Sequence, residues 1–508
     1  MATTITLNPN DPSYHLATAQ VHHLRSIFYD QLSQGKTKPL VLPSAFFGTL
    51  FLPLLYLSIP HKSRLWLYHA RWLVAVAILY LDYQLLTTTS GSNIAIGYAV
   101  GLIACHGTVW GLTAVLFTRP QWDAARVAED PKTGEYYWQF YPSKGTWWER
   151  MSWAQDLLLN FRCVGWNYAV STIPSPPFPE AGMKGRQRVG MDKMPKVTQT
   201  GYYISSTTKE FVLDRLGHIV WSWLVIDIWT TFGRADPYIV LGPEYLHSSH
   251  YKINRVPMWL VGLGRSFLGI TGVAAGLFYF HSIYQLINYC ILGKGGLDVL
   301  GYPSLFGGFG TVADKGLGGF WGGRGFAAAG EGEAVPRLRV RSNGKRRRKK
   351  KPTRGKMVVT VLIAFFLSGL MHACGGLTST SPTTRFWTPI LFFVSQGVGV
   401  LVQGFVCECF RALINRTFSA KWRRVGNLVV VAVWLHFTGW GLVDDMSRAG
   451  IWLFEPVPFS PVRWLVKVLG YGNLLGGNNR NVWRLDEEYG PRWWWGPEGR
   501  WWESGFRF

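Results

Sequence analysis

Residues 357–376, MVVTVLIAFFLSGLMHACGG, contain no Asp, Glu, Lys or Arg, and His372 is their only readily titratable side chain. Crossing the hydrocarbon of a bilayer takes roughly 20 mostly apolar residues in a helix, because only a helix satisfies its own backbone polar groups there. The stretch therefore reads as a transmembrane helix. Working outward, residues 40–59, 94–117 and 386–406 are free of Asp, Glu, Lys and Arg, and 425–443 carries His436. Weaker candidates are 65–86 with Asp82, 216–232 with Asp227 and 258–280 with Arg265. The sum is roughly eight spans. The expected fold class is an all-α polytopic membrane protein.

Composition agrees, with 48% hydrophobic, 15% aromatic and only 16% charged residues. The net charge of +23 would suggest nucleic acid were it spread over a domain, but 13 Lys or Arg fall between Arg324 and Lys356, against Glu331 and Glu333. That tract lacks apolar periodicity and is expected to be a disordered insert over 324–356, able to touch anionic lipid headgroups. No nucleic-acid partner is expected. The 26 tryptophans suit the membrane interface. The six cysteines show no metal-ligand spacing and read as reduced structural thiols. The N-terminus lacks the basic start and apolar core of a cleavable signal peptide. The chain divides into an N-terminal segment 1–39, a membrane domain 40–460 and a tail 461–508.

Lys and Arg in the short loops favour the odd-numbered connections facing the cytosol. Two odd loops are long, 118–215 and 293–356, and their aromatic, glycine-rich patches are where function is expected.

The chemistry narrows by elimination. His22 and His23 are followed by Leu24, Arg25, Ser26 and Ile27, so the aspartate of a His-His-x-x-x-Asp acyltransferase motif is missing. No Gly-x-Ser-x-Gly elbow, Walker loop or His-Glu-x-x-His pair occurs. His372 remains, an imidazole in an apolar helix near two glycines and a serine. A polar residue at such depth usually faces a cavity or the bundle interior. The plainer reading is a histidine that merely bonds a neighbouring helix, as His106, His218 and His436 are equally placed to do.

Four patches carry a resemblance. SGLMHA, residues 368–373, looks like the catalytic-histidine motif of the membrane-bound O-acyltransferase superfamily, specifically its wax synthase-like branch of plants and fungi. NFRCVGWNY, residues 160–168, resembles the branch's Arg-Gly-x-Gly-Trp-Asn patch, with Cys163 in place of a glycine. PSLFG followed by GGFWG, ending at Gly322, is similar to its Leu-Phe-Gly and Phe-Trp-Gly sequences, and GIWLFEPVPFS, residues 450–460, to its closing Glu-Pro-x-Pro segment. The order is the family's. One departure stands out: the Trp-His or Trp-Asn pair that follows Phe-Trp-Gly in the family is absent, so another residue substitutes, activity is impaired, or the deduced sequence from Gly323 to about Lys356 includes translated non-coding material.

The resemblance implies a membrane-embedded transferase, in the endoplasmic reticulum, moving an acyl or acetyl group from acyl-CoA to the hydroxyl of a lipophilic alcohol such as a terpenoid or long-chain alcohol. Secondary-metabolite biosynthesis is the implied setting in fungi. His372 is the implied catalytic base, and Arg162, Trp166, Phe320 and Trp321 are candidates for shaping the acyl-CoA channel. No metal or resident cofactor is implied; acyl-CoA is a co-substrate, and membrane lipid surrounds the chain. Two rivals remain: a transporter or channel lined by Asp82, Asp227 and Arg265, and a non-catalytic relative of the acyltransferases.

Overall fold

The computed structural model describes residues 13–160, 162–170, 172–177, 187–234, 236–245, 257–292, 298–323, 354–456, 458–470, 492–494 and 504–507. Most of the basic tract, residues 324–353, lies outside the described residues.

The chain is mostly helical. The principal helices are α1 (Ser13–Ser33), α2 (Leu52–Ser58), α3 (Arg71–Thr88), α4 (Ile94–Leu112), α5 (Trp147–Leu159), α6 (Thr208–Gly233), α7 (Pro237–Leu241), α8 (Met258–Leu292), α9 (Leu317–Gly323), α10 (Arg354–Thr378), α11 (Trp387–Cys409), α12 (Ala420–Thr438), α13 (Trp440–Arg448) and α14 (Pro461–Val468). Five stretches are long and apolar enough to cross a membrane, Leu65–Thr88, Ile94–Phe117, Trp259–Ile291, Arg354–Thr378 and Trp387–Cys409. A sixth is counted if α12 and α13, bent by 44° where they meet, form one span. The architecture is that of a multi-pass membrane protein.

The expected span at 40–59 is not one helix. Pro43 and Pro53 each lack an amide proton, residues Phe47–Phe51 form a π-helical turn, and only Leu52–Ser58 is regular α-helix. The apolar helical part, Ser44–Ser58, is too short to cross a bilayer alone. It folds against α3, where a Cβ on Gly48 would meet Asp82 Oδ1 at 2.4 Å. The stretch around 216–232 is helical as α6 but is not among those long and apolar enough to span.

Small residues let the central helices meet. A Cβ on Gly101 of α4 would lie 2.0 Å from the carbonyl oxygen of Cys374 on α10, and one on Gly369 of α10 would lie 2.6 Å from Ile390 Cα on α11. Backbone approach of this kind is how helices associate where lipid removes the hydrophobic drive. Ser90 Oγ closes the same end of the α4–α10 pair by donating to Thr378 O at 2.6 Å.

The bundle has two distinct ends. At one lie the start of α4, the end of α10, and the α7 and α13 region; α1 seals it, with Ala17 and Leu24 packed on Ile94, Val240 and Leu453. At the other, a small antiparallel sheet of β1 (Ala125–Glu129), β2 (Tyr136–Phe140) and β3 (Gln187–Arg188) joins α5 and the 160–204 segment. Their core joins Trp153, Trp166, Leu157 and Tyr141 to Leu54 and Ile78. Residues from the tail return to the body: Gly505–Arg507 pairs antiparallel with Val41–Leu42.

Candidate functional site

His372 lies in α10, on the face shared with Val361, Phe365, Gly369 and Gly376, all buried, whereas Ile363, Phe366 and Leu377 face outwards. Its ring points into the bundle. Tyr98 of α4 brings its hydroxyl to 3.2 Å from His372 Nδ1, and Phe393 of α11 stacks on the imidazole at 5.0 Å between centroids and 16° between planes. Although it faces inward, the histidine keeps some accessible surface.

Tyr98 reaches the imidazole because α10 has no side chain in the way. A Cβ on Gly375 would meet the tyrosine ring at 2.8 Å. Tyr98 itself is 4% exposed. One helical turn beyond His372, a Cβ on Gly376 would stand 3.4 Å from Oδ2 of Asp445. Asp445 belongs to α13, is 1% exposed, accepts from Arg385 N at 2.9 Å through Oδ1, and leaves Oδ2 without a hydrogen-bond partner. An imidazole, a phenol and a carboxylate therefore gather on one stretch of α10, and Asp445 lies close enough to Tyr98 to act on its charge. Tyr98 and Asp445 were not singled out by sequence. The available signal was polarity alone, a tyrosine amid IAIGYAVG and an acid pair closing an apolar run.

Phe320 and Trp321 reach the same neighbourhood. Trp321 on α9 is 5% exposed and packs edge-on against Phe365 and Phe393 at 5.5 and 5.9 Å, with Phe320 beside it at 5.2 Å. The stacking partner of His372 is thus itself held by the aromatic pair. Arg162 and Trp166 lie elsewhere. Trp166, 1% exposed, packs at 4.9 Å against Trp153 in the core of the far end. Arg162 donates to Ser304 O at 2.8 Å and Pro303 O at 3.1 Å, tying the first long loop to the second. The NFRCVGWNY turn is strained where a glycine was expected: Cys163 has φ 50° and Gly165 φ 75°, the left-handed region that suits glycine.

The closing Glu-Pro-x-Pro segment is a clamp. Glu455 pairs with Arg234 at 3.1 Å and Arg463 at 2.6 Å, and Asp227 of α6 accepts from Ser460 Oγ at 2.6 Å and Val462 N at 2.8 Å. Arg265 forms a bidentate pair with Asp236 at 2.7 and 2.8 Å, and Asp82 accepts from Thr108 at 2.7 Å. Asp82, Asp227 and Arg265 are thus held by three separate sets of partners.

No protein-family model matches the chain, and neither a curated protein nor a solved structure matches it.

Proposed function

We propose that the chain is a membrane-embedded O-acyltransferase that moves an acyl group, acetyl included, from acyl-CoA to the hydroxyl of a hydrophobic acceptor such as a terpenoid or long-chain alcohol. Residence in the endoplasmic reticulum belongs to this reading, as does an arrangement of roughly eight spans with α6 among them. The observation that carries it is the inward placement of His372, bonded through Nδ1 to Tyr98 and stacked on Phe393. The four motif likenesses, in family order, supply the reaction class.

In the mechanism, Nδ1 of His372 carries the ring proton and donates it to Tyr98 Oη, which leaves Nε2 free as base. Nε2 takes the proton of the acceptor hydroxyl as its oxygen attacks the thioester carbonyl. The tetrahedral intermediate collapses, the C–S bond breaks, and the CoA thiolate recovers the proton from the imidazolium. Phe393 covers the ring with apolar surface and is itself backed by Trp321, with Phe320 beside it, which excludes water and limits thioester hydrolysis. Asp445, held beside Gly376 with Oδ2 unpartnered, lies within electrostatic reach of Tyr98. Tyr98 and Asp445 are the polar groups that take the place of the family's missing Trp-His or Trp-Asn pair.

The test is thiol release and ester formation by the purified chain, given acetyl-CoA or longer acyl-CoA with terpenoid and fatty alcohols. Ester formed with matching CoA release supports the reading. Substrate flux across proteoliposomes without any CoA release would replace it with transport.

A further inference from the structure

The six cysteines divide by exposure into two sets. Cys105, Cys163 and Cys374 are buried in the packed body, where a thiol behaves as a small apolar group. Cys290, Cys407 and Cys409 are exposed, and each lies within two residues of the end of an apolar stretch long enough to span, Trp259–Ile291 or Trp387–Cys409. Both ends belong to one side of the bundle. The segment that follows α8 reaches the end of α11, with Leu317 N donating to Gln403 Oε1 at 2.7 Å and Asp314 paired with Arg424 at 3.0 Å. Arg354, at the start of α10, pairs at 2.8 Å with Glu408, the residue between two of the exposed cysteines.

The connection from α11 to α12 protrudes from that side. The two helices run antiparallel, since Gln403 donates to Asn427 Oδ1 at 3.2 Å and a Cβ on Gly399 would meet Trp434 at 2.5 Å. From Gly404 to Gly426 every residue is exposed except Ile414 and Arg423, which are half-buried. Phe410, Leu413, Phe418 and Trp422 are exposed on this tip, in a run that also holds Arg411, Arg416, Lys421, Arg423 and Arg424. Aromatic rings among an excess of Lys and Arg suit the headgroup layer of the cytosolic leaflet. The 23 residues of α11 make a helix about 35 Å long at 1.5 Å per residue, against a hydrocarbon core of about 30 Å. Its last turn therefore emerges among the headgroups. Cys409 also continues the outward stripe of Leu391, Val398, Val402 and Phe405, which recur at helical spacing and are all exposed.

We propose that Cys407, Cys409 and Cys290 are sites of S-acylation, each carrying a long acyl chain in thioester linkage that enters the cytosolic leaflet. An exposed thiol in the last turn of a span meets water at its sulfur and has lipid within a turn for the chain, the setting in which cysteines beside a membrane are acylated. The donor is a long-chain acyl-CoA. Sγ attacks the thioester carbonyl, a C–S bond to the protein forms as the C–S bond to CoA breaks, and the thiol proton goes to the CoA thiolate. No oxidant or reductant takes part. A chain on Cys409 lies along the stripe of α11, so acyl chains and basic side chains together hold the tip on the membrane. The modification does not depend on the acyltransferase reading of His372.

The experiment is acyl exchange on the full chain, expressed in eukaryotic cells fed an alkynyl analogue of palmitate. Free thiols are blocked in denaturant, thioesters are cleaved with neutral hydroxylamine, and the thiols released take a mass tag that is counted by gel shift. The wild type is expected to carry the alkyne and, when fully modified, three tags that require hydroxylamine. Cys407→Ser with Cys409→Ser is expected to lose two tags, Cys290→Ser one, and the triple variant all tags and the alkyne. Cys105→Ala, at a buried position, is expected to keep the wild-type pattern. Graded loss that follows the replaced position separates modification from misfolding, which removes tags at every position together. A wild type without hydroxylamine-dependent tags, or a triple variant that keeps them, overturns the proposal. Tags that appear on reduction alone, without hydroxylamine, mean disulfides and overturn it as well.

Discussion

Replacing Gly101 by alanine places one methyl group where the chain has least room for it. The added Cβ would stand 2.0 Å from Cys374 O, 2.3 Å from Cys374 C and 2.6 Å from Gly375 N. All three are backbone atoms of α10, so no rotamer change relieves the clash. Unstrained heavy-atom contacts lie near 3.5–4.0 Å, and α4 must move from α10 by about 1 Å or more. Overpacking of this kind costs about 1–3 kcal/mol. The displacement falls between Tyr98 and His372, which are 3.2 Å apart. A misplacement of about 1 Å near reacting groups lowers rate by about a hundred-fold. Gly276→Ala is the control: it also lies in a helix, α8, but a Cβ there meets nothing within 4 Å, and alanine is the better helix former. Thermal unfolding in detergent and CoA release are measured for both. Gly101→Ala is expected to lose stability and most activity while Gly276→Ala loses neither. Equal behaviour of the two would refute the close α4–α10 packing and its link to the site.

Glu455→Gln leaves Arg234 and Arg463 facing a neutral amide, and breaking such a buried network is expected to destabilise by about 3–5 kcal/mol; chemical denaturation checks this, and a change below about 1 kcal/mol contradicts the clamp. His61, in the connection between the Ser44–Ser58 helix and α3, is held down to about 4 by burial, against a backbone bond to Tyr56 that favours the charged form. Its unfolded-state value is near 6.5, so its contribution is complete above about pH 6.5 and fades as pH falls through about 4, by up to about 3 kcal/mol. The unfolding temperature of His61→Gln is expected to fall less than that of the wild type over this window. Trp321→Ala removes the edge contacts with Phe365 and Phe393, with an expected loss of about 3–5 kcal/mol and a fall in acyl transfer; unchanged turnover would separate this wall from the site. Tyr98→Phe keeps the ring and removes the bond to His372 Nδ1, so the pH at which activity rises is expected to move; an unaltered profile would exclude Tyr98 as a positioning residue.

Much of the helical layout was legible because the bilayer imposes a length and a polarity that a sequence displays directly. Residues 94–117 match the observed stretch, and those around His372 and 386–406 differ from it by a few residues at each end. The pattern misled at 40–59, where apolarity is continuous but the helix starts only after Pro43 and passes through a π-helical turn, Phe47–Phe51, whose Gly48 lies against Asp82. Hydropathy records what lipid accepts, and backbone geometry decides whether a helix runs through. In the candidate site, His372 stood out as a polar group in an apolar run. Tyr98 and Asp445 come from α4 and α13, so only packing of three helices places them near it. Arg162 and Trp166 were joined with His372 through motif likeness, whereas the structure places them at the far end, one on the 302–305 backbone and the other in a core of aromatic rings. Likeness of order along a chain carries no distance between its parts.

The most direct measurement compares the wild-type chain with His372→Ala, both reconstituted in nanodiscs with labelled acyl-CoA and a panel of lipophilic alcohols, following labelled ester and free CoA together. The wild type is expected to form ester with one CoA released per ester, and His372→Ala, folded as judged by its unfolding temperature, to form almost none. Equal ester formation by both would remove His372 from the chemistry, and no ester from either would contradict the acyltransferase reading.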